Sequence, residues 1–140
     1  LINLMIVDDE ERARVSIRTL INWQGLGITI IAEAHDGAQA LEQLCKLHVD
    51  ILITDVRMPQ IDGLTLIEKV RDTYPHIKSI IISGYNNFTY IQKAISLGVH
   101  DYLLKPSSRE EISDTILNII AEIEYERRQA DNFNRFKRGF

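Results

Sequence analysis

Short apolar runs and helix-period apolar stripes alternate along the chain. Ile2–Val7 is apolar and stops at Asp8-Asp9-Glu10, after which Ala13, Ile17, Leu20 and Ile21 line one face of a predicted helix that Gly25 and Gly27 break. Ile28–Ala32 is rich in β-branched residues and predicts a second strand. Asp36-Gly37 then turns the chain, and Ala40, Leu41, Leu44 and Cys45 mark a second helix. Ile51–Thr54 predicts a third strand ending at Asp55. Pro59 and Gly63 punctuate the following loop, Leu66, Ile67 and Val70 mark a third helix, and Pro75 stops it. Ser79–Ser83 reads as a fourth strand. Phe88, Ile91 and Ile95 mark a fourth helix closed by Gly98, and Tyr102–Leu104 is a short fifth strand ended by Lys105-Pro106. A long final helix is predicted from about Ser108 past Ile123.

Strictly alternating β-α pairs with nearly all-apolar strands predict a parallel sheet buried on both faces by helices. Right-handed crossovers leave few topologies, of which the flavodoxin-like order 2-1-3-4-5 is common, so the expected fold class is an α/β, doubly wound (βα)5 sheet. A dinucleotide-binding fold would want a glycine-rich turn after the first strand, where this chain has Asp8-Asp9-Glu10, and no phosphate-binding Walker loop is present.

Length and charge refine this picture. The 140 residues suit one domain, and 45% hydrophobic with 26% charged residues suits a soluble chain with a substantial core. The net charge of −4 conceals an asymmetry: residues 127–140 carry Arg127, Arg128, Arg135, Lys137 and Arg138 against one acid, Asp131, leaving 11 basic and 19 acidic groups elsewhere. A lone cysteine, Cys45, excludes an internal disulfide and a thiolate metal cage, and its setting on a helix face predicts a small buried hydrophobe. No apolar run reaches the ~20 residues of a membrane span and no signal-peptide pattern is seen, so the expected location is the cytoplasm. A strand-like start at Leu1 reads as a piece of a longer protein.

In a doubly wound sheet, ligands bind outside the carboxyl ends of the strands, at the switch point between strands one and three. Asp8, Asp9, Asp55, Ser83 and Lys105 are predicted there. Clustered carboxylates repel one another, and a hard divalent cation such as Mg²⁺ relieves that repulsion. With the Lys105 ammonium and the Ser83 hydroxyl, the set has the parts needed to neutralise a phosphoryl group arriving at one carboxylate. Taken singly, Asp9 also reads as a helix N-cap, Asp8 and Asp55 as turn acids, Ser83 as a strand-end hydroxyl and Lys105 as a solvated lysine.

The pieces Ile6-Val7-Asp8-Asp9-Glu10, Thr54-Asp55-Val56-Arg57-Met58-Pro59, Asp62-Gly63, Ser83-Gly84-Tyr85 and Gly98-Val99-His100-Asp101-Tyr102-Leu103-Leu104-Lys105-Pro106 together resemble the receiver domains of two-component response regulators. The resemblance covers residues 1–123, with 124–140 as a helical extension. It implies a signalling domain rather than a turnover enzyme, one that promotes its own Mg²⁺-dependent phosphorylation and dephosphorylation. By the same resemblance Asp55 is the phosphoacceptor, and a sensor histidine kinase is the donor. Asp9, Asp55 and the Arg57 carbonyl would hold Mg²⁺, and Asp8 would act largely through metal-bound water. Lys105 would pair with the phosphoryl group, Ser83 and Tyr102 would form the switch, and the Lys105–Pro106 bond would be cis. Ile21-Asn22-Trp23, the run from Ser83 through Tyr90 and Asp101–Pro106 resemble receivers joined to AraC-type helix-turn-helix outputs. The chain has no room for such an output, so DNA binding and transcription regulation are expected only of a parent protein.

Two further expectations concern what surrounds the site. Arg57 and Tyr85 lie two residues past the acceptor and the switch serine, and both are expected to overhang the phosphoryl group and slow its hydrolysis. Ile112, Ile116, Ile119, Ile123, Ala130 and Phe133 form a seam interrupted at Glu126, which predicts a weak homodimer through the last helix with Glu124, Arg127 and Arg128 pairing across its edges. Three other readings compete. An aspartate-nucleophile phosphatase of the haloacid-dehalogenase type would want an acid where Arg57 stands. A flavin module would want Ser, Thr and Gly after strand one. A stand-alone receiver would act as a phosphate shuttle or protein-binding switch.

Overall fold

The computed structural model describes residues 1–139. Its element order is β1 (Ile2–Val7), α1 (Glu11–Leu20), β2 (Ile28–Ala34), α2 (Gly37–Leu44), β3 (Ile51–Thr54), α3 (Gly63–Thr73), β4 (Lys78–Ser83), α4 (Phe88–Ser96), β5 (Asp101–Leu104) and α5 (Arg109–Lys137), with one 3-10 turn at Gln24–Leu26. The sheet is parallel throughout, in the order β2-β1-β3-β4-β5. β2 runs to Ala34, beyond the β-branched stretch, because Ala32, Glu33 and Ala34 still pair with Met5, Ile6 and Val7.

Successive strand residues face opposite sides, so each continuous apolar run feeds two cores. Leu4, Ile6, Ile51, Ile53, Ile80 and Ile82 meet Ile17 of α1 and Ile112, Ile116, Ile119 and Ile123 of α5. Met5, Val7, Leu52 and Ile81 meet Ala40, Leu44, Leu66, Ile67, Val70 and Ala94 of the helices on the other face. Trp23 closes the first core, and its indole N–H donates to the Ile17 carbonyl at 3.2 Å.

Local chemistry sets the helix starts. Asp36 accepts from the Gln39 amide at 2.7 Å, Asp62 from the Thr65 amide at 2.8 Å, and Ser108 and Glu111 form a reciprocal capping box at the head of α5. Each such cap contributes about 1 kcal/mol. The start of α3 has a second determinant. Gly63 donates its N–H to the Val56 carbonyl at 2.7 Å, and a Cβ there would lie 1.8 Å from the carbonyl oxygen of Asp55.

One expectation about side-chain burial needs correction. Cys45 is exposed: α2 ends at Leu44, so Cys45 is its C-cap, with Sγ turned back toward the Leu41 carbonyl at 3.4 Å. In α4, Phe88 and Ile95 are 75% and 71% exposed, and the fully buried position is Ala94. The apolar spacing identifies the helix but not its buried face, because α4 lies against the core through its small residue.

Replacing Gly63 by Ala should force apart the α3 start and the Asp55 backbone. Urea unfolding is expected to show a loss of about 2–3 kcal/mol, whereas Gly84→Ala, where a Cβ meets nothing within 4 Å, should change stability by less than about 1 kcal/mol.

Candidate functional site

The carboxyl ends of β1 and β3 bring three acids together. One carboxylate oxygen from each of Asp8, Asp9 and Asp55 lies within 4.8 Å of the others. Asp8 and Asp55 are buried, at 2% and 7% exposure, and Asp9 is exposed. Each buried acid spends one oxygen on a nearby backbone N–H and turns the other inward. Asp8 Oδ1 accepts from the Glu10 amide at 3.0 Å, and Asp55 Oδ1 from the Val56 amide at 2.7 Å. The N-cap of α1 is Glu10, so neither Asp8 nor Asp9 is spent on that role.

Lys105 comes in from the end of β5. Its Nζ donates to Asp8 Oδ2 at 2.9 Å and to Asp55 Oδ2 at 3.2 Å. Its backbone N–H donates to the Ser83 carbonyl at 2.8 Å, which fixes the strand end, and the Lys105–Pro106 peptide is cis. Burial alone would lower the Lys105 pKa. The hydrogen bond to Asp8 and the charges of Asp55 and Asp8 outweigh it and hold the ammonium above its ordinary value.

Ser83 is fully buried at the end of β4, and its Oγ accepts from the Tyr85 amide at 3.1 Å. The half-buried Tyr102 donates its hydroxyl to the Tyr85 carbonyl. Burial pushes the Tyr102 phenol up, and the Ser83 hydroxyl beside it pulls the other way. Arg57 is exposed; its guanidinium lies 4.3 Å from the Tyr85 ring centroid and donates through Nε to the Tyr90 hydroxyl at 3.1 Å. The fold thus gathers Asp8, Asp9, Asp55 and Lys105 into one pocket, with Ser83, Tyr85 and Tyr102 joined through one strand-end loop and Arg57 over Tyr85.

Three contributors carry weaker signals in the sequence. Arg14 donates to the Asp8 carbonyl at 2.6 Å from one turn inside α1, where an arginine reads as surface. Tyr90 completes the Arg57 stack, with its ring centroid 5.9 Å away, but sits on a helix whose apolar pattern does not reveal which face is exposed. Gly63 reads as loop punctuation, and only the approach of the Asp55 carbonyl reveals its steric role.

An open (βα)5 sheet with acids and a lysine at its switch point is the architecture of signal receivers. Residues 4–117 match the response regulator receiver domain family, and the chain belongs to that family. It is 38% identical over 120 residues to the uncharacterized transcriptional regulatory protein YesN of Bacillus subtilis, covering 86% of this chain and 33% of YesN. It is 30% identical over 115 residues to the response regulator protein VraR of Staphylococcus saprophyticus, covering 82% of this chain and 54% of that protein. The chain therefore spans between a third and about half of the length of these relatives. Among solved structures, the REC domain of AraT from Geobacillus stearothermophilus superposes with a TM-score of 0.84 at 39% identity, covering 89% of this chain and 97% of that one. A two-component transcriptional regulator AraC from Clostridium phytofermentans gives 0.80 at 32% identity, covering 92% and 99%.

Receiver domains are signalling domains, and they bind Mg²⁺ at this acidic pocket. The donor set fits such a cation: it is all oxygen, doubly buried and short of positive charge except for Lys105. Among the described residues, no helix is long and apolar enough to cross a membrane.

Lys105→Met should leave two buried carboxylates facing each other without a counter-charge. Without divalent cation, a loss of about 1–3 kcal/mol is expected, recovered in part by millimolar Mg²⁺. Because the folded-state pKa of Lys105 is raised, its contribution is complete below the ordinary lysine value of about 10.4 and is lost only as pH rises through the higher folded value. The gap between wild type and Lys105→Met in urea should therefore stay constant from about pH 7 to 9. A gap that closes within that window would contradict the ion pair.

Proposed function

We propose that Asp55 accepts a phosphoryl group from the phosphohistidine of a sensor histidine kinase. The observation that carries this reading is the pairing of the buried Asp55 carboxylate with Lys105 Nζ at 3.2 Å, beside Asp8 and Asp9, at the switch point of the sheet. With Oδ1 held by the Val56 amide, Oδ2 is the attacking atom. A P–O bond forms as the P–N bond to the kinase imidazole breaks in line, and the imidazole leaves with the bonding pair and a proton. Lys105, already against Oδ2, follows the charge onto the phosphoryl oxygens. Asp9, Asp55 and the Arg57 carbonyl would hold Mg²⁺, with Asp8 acting largely through metal-bound water, and the charge of the ion would offset that of the phosphoryl group.

The acyl phosphate brings nearly two negative charges. The buried Ser83 hydroxyl is drawn toward them and gives up its bond from the Tyr85 amide. Tyr102, anchored on the Tyr85 carbonyl, moves with that loop, and the surface of α4, β5 and α5 changes. Arg57 and Tyr85 are stacked on each other, and as a pair they shield the phosphoryl group from water. DNA binding and transcription regulation belong to a longer parent chain. Support for this comes from the description of YesN as a transcriptional regulatory protein, only 33% of which is matched here. The domain proper is taken as residues 1–123 and the extension toward the output as 124–140, of which the part up to Lys137 continues α5 and Phe140 lies outside the described residues. Ile112, Ile116, Ile119 and Ile123 of the expected seam are buried in this chain's own core and cannot pair with a second copy; the extension beyond them exposes Phe133 and Phe136, at 63% and 78%, and it is this part that supports weak self-association strengthened by phosphorylation. Arg127 bonds within its own chain to Asp50, so it is not one of the cross-edge pairs that would hold the dimer. The setting is the cytoplasm, where such kinases present phosphohistidine.

Intact mass after incubation with acetyl phosphate and Mg²⁺ should show one phosphoryl adduct. It should be absent with EDTA and in Asp55→Asn, and Asp9→Ala should raise the Mg²⁺ requirement more than Asp8→Ala does. An equal adduct on Asp55→Asn would end the assignment. Followed over time, the adduct should decay faster when Arg57 and Tyr85 are both replaced by Ala; decay at the wild-type rate would remove the shielding role.

For self-association, sedimentation of the chain with and without beryllofluoride should show a weak dimer that tightens with the phosphoryl mimic. A monomer in both samples at high concentration would exclude it.

A further inference from the structure

A second cluster of ligating side chains lies at the opposite pole of the sheet. Asp50 immediately precedes β3, five residues before Asp55, which separates the two carboxyls by roughly 16 Å along the strand. One ligand atom from each of His48, Asp50 and His76 lies within 4.8 Å of the others. The two imidazoles stack in parallel, with centroids 5.0 Å apart and planes 3° apart. They border a surface hollow of about 290 Å³ that is also lined by Glu126 and Arg127 of α5.

The ligating atoms lie near one another around this hollow. Asp50 is buried, with Oδ2 spent on the Asn3 amide at 2.8 Å, so the carboxylate is fixed and only Oδ1 faces the hollow. That oxygen is shared by His48 Nε2 at 3.0 Å and Arg127 Nη2 at 3.2 Å. His76 donates Nε2–H to the Val49 carbonyl at 3.0 Å, which leaves its Nδ1 lone pair free. Both rings are exposed, and turning out of the parallel stack would aim their in-plane lone pairs at one metal ion with bonds of about 2.0–2.2 Å. Two imidazoles and one carboxylate favour a borderline transition ion over Mg²⁺, whereas the acidic pocket, with oxygen donors alone, suits a hard cation such as Mg²⁺.

We infer that His48, Asp50 and His76 form a binding site for a divalent transition metal such as Zn²⁺, in which the metal competes with Arg127 for Asp50. On binding, His48 shifts its proton from Nε2 to Nδ1 and offers the Nε2 lone pair, and Asp50 Oδ1 exchanges Arg127 for the ion. Solvent fills the remaining positions. The exchange frees one of the ties that hold the α5 extension against the body. The Lys78 pairs to Glu122 and Glu126, at 3.0 and 2.7 Å, stay in place.

Co²⁺ is the probe, since its visible bands report imidazole coordination. It is titrated into the 140-residue chain with Mg²⁺ in large excess to occupy the acidic pocket. One equivalent is expected to bind with new visible bands, unaltered in Asp9→Asn and weakened by more than about tenfold in His48→Ala and in His76→Ala. Both histidines are exposed, so circular dichroism should show these variants folded. Arg127→Ala should tighten Co²⁺ binding about two- to fivefold, the worth of an exposed ion pair. The site is overturned if Co²⁺ fails to saturate one site, if its bands survive in both histidine variants, or if Asp9→Asn removes them. Unchanged affinity in Arg127→Ala overturns the competition. None of these readings involves Asp55 chemistry, so the result stands apart from phosphorylation.

Discussion

Like-charge repulsion inside a small pocket is the constraint on which this molecule turns. The fold buries Asp8 and Asp55 side by side, an arrangement that costs several kcal/mol unless something positive stands between them. Lys105 meets that need with one ammonium bonded to both. Its position is the joint product of β5 pairing, the Ser83 carbonyl that holds its N–H and the chain turning away at Pro106. A group bringing its own negative charge together with a cation would enter a pocket already balanced for the exchange. Because Lys105 serves two carboxylates, any change in the charge of one is felt by the other and by the strand end that carries the lysine.

Backbone packing supplies the stiffness this electrostatic arrangement needs. Asp55 sits where β3 runs into the start of α3, and Gly63 lets the helix come within contact of its carbonyl. Thr54 donates its hydroxyl to the same carbonyl at 2.9 Å. The Asp55 side chain therefore hangs from a peptide that cannot shift without moving a helix. Beside it on the same rim the arrangement is softer: the buried Ser83 of β4 and the half-buried Tyr102 of β5 are linked only by single hydrogen bonds to Tyr85 in the exposed loop after β4, and that loop is where a conformational response is least costly.

Much of this was legible in the residues. The strand order and the gathering of Asp8, Asp9, Asp55, Ser83 and Lys105 follow from apolar runs that end in polar residues, since a parallel sheet sends all those ends to one side. Features set by tertiary contact were not legible. Ala94 rather than Phe88 or Ile95 faces the core, because close approach of a helix to a sheet favours the small residue over the large one. Cys45 reads as one more apolar helical position, yet the helix ends one residue earlier. Arg127 reads as part of a basic tail, and only the length of α5 brings it to Asp50, 77 residues away in sequence.

The unbroken course of α5 has a geometric consequence. Its 29 residues make a rod of roughly 44 Å, started by a capping box and gripped along its first half by Ile112, Ile116, Ile119 and Ile123. A clamped rod transmits angle as well as distance. Each residue added to or removed from the free half would swing anything joined to its far end by about 100° around the helix axis while advancing it only about 1.5 Å. The spacing of the extension is thus an angular setting as much as a length, and its tolerance to insertion should follow the helical repeat rather than the number of residues gained.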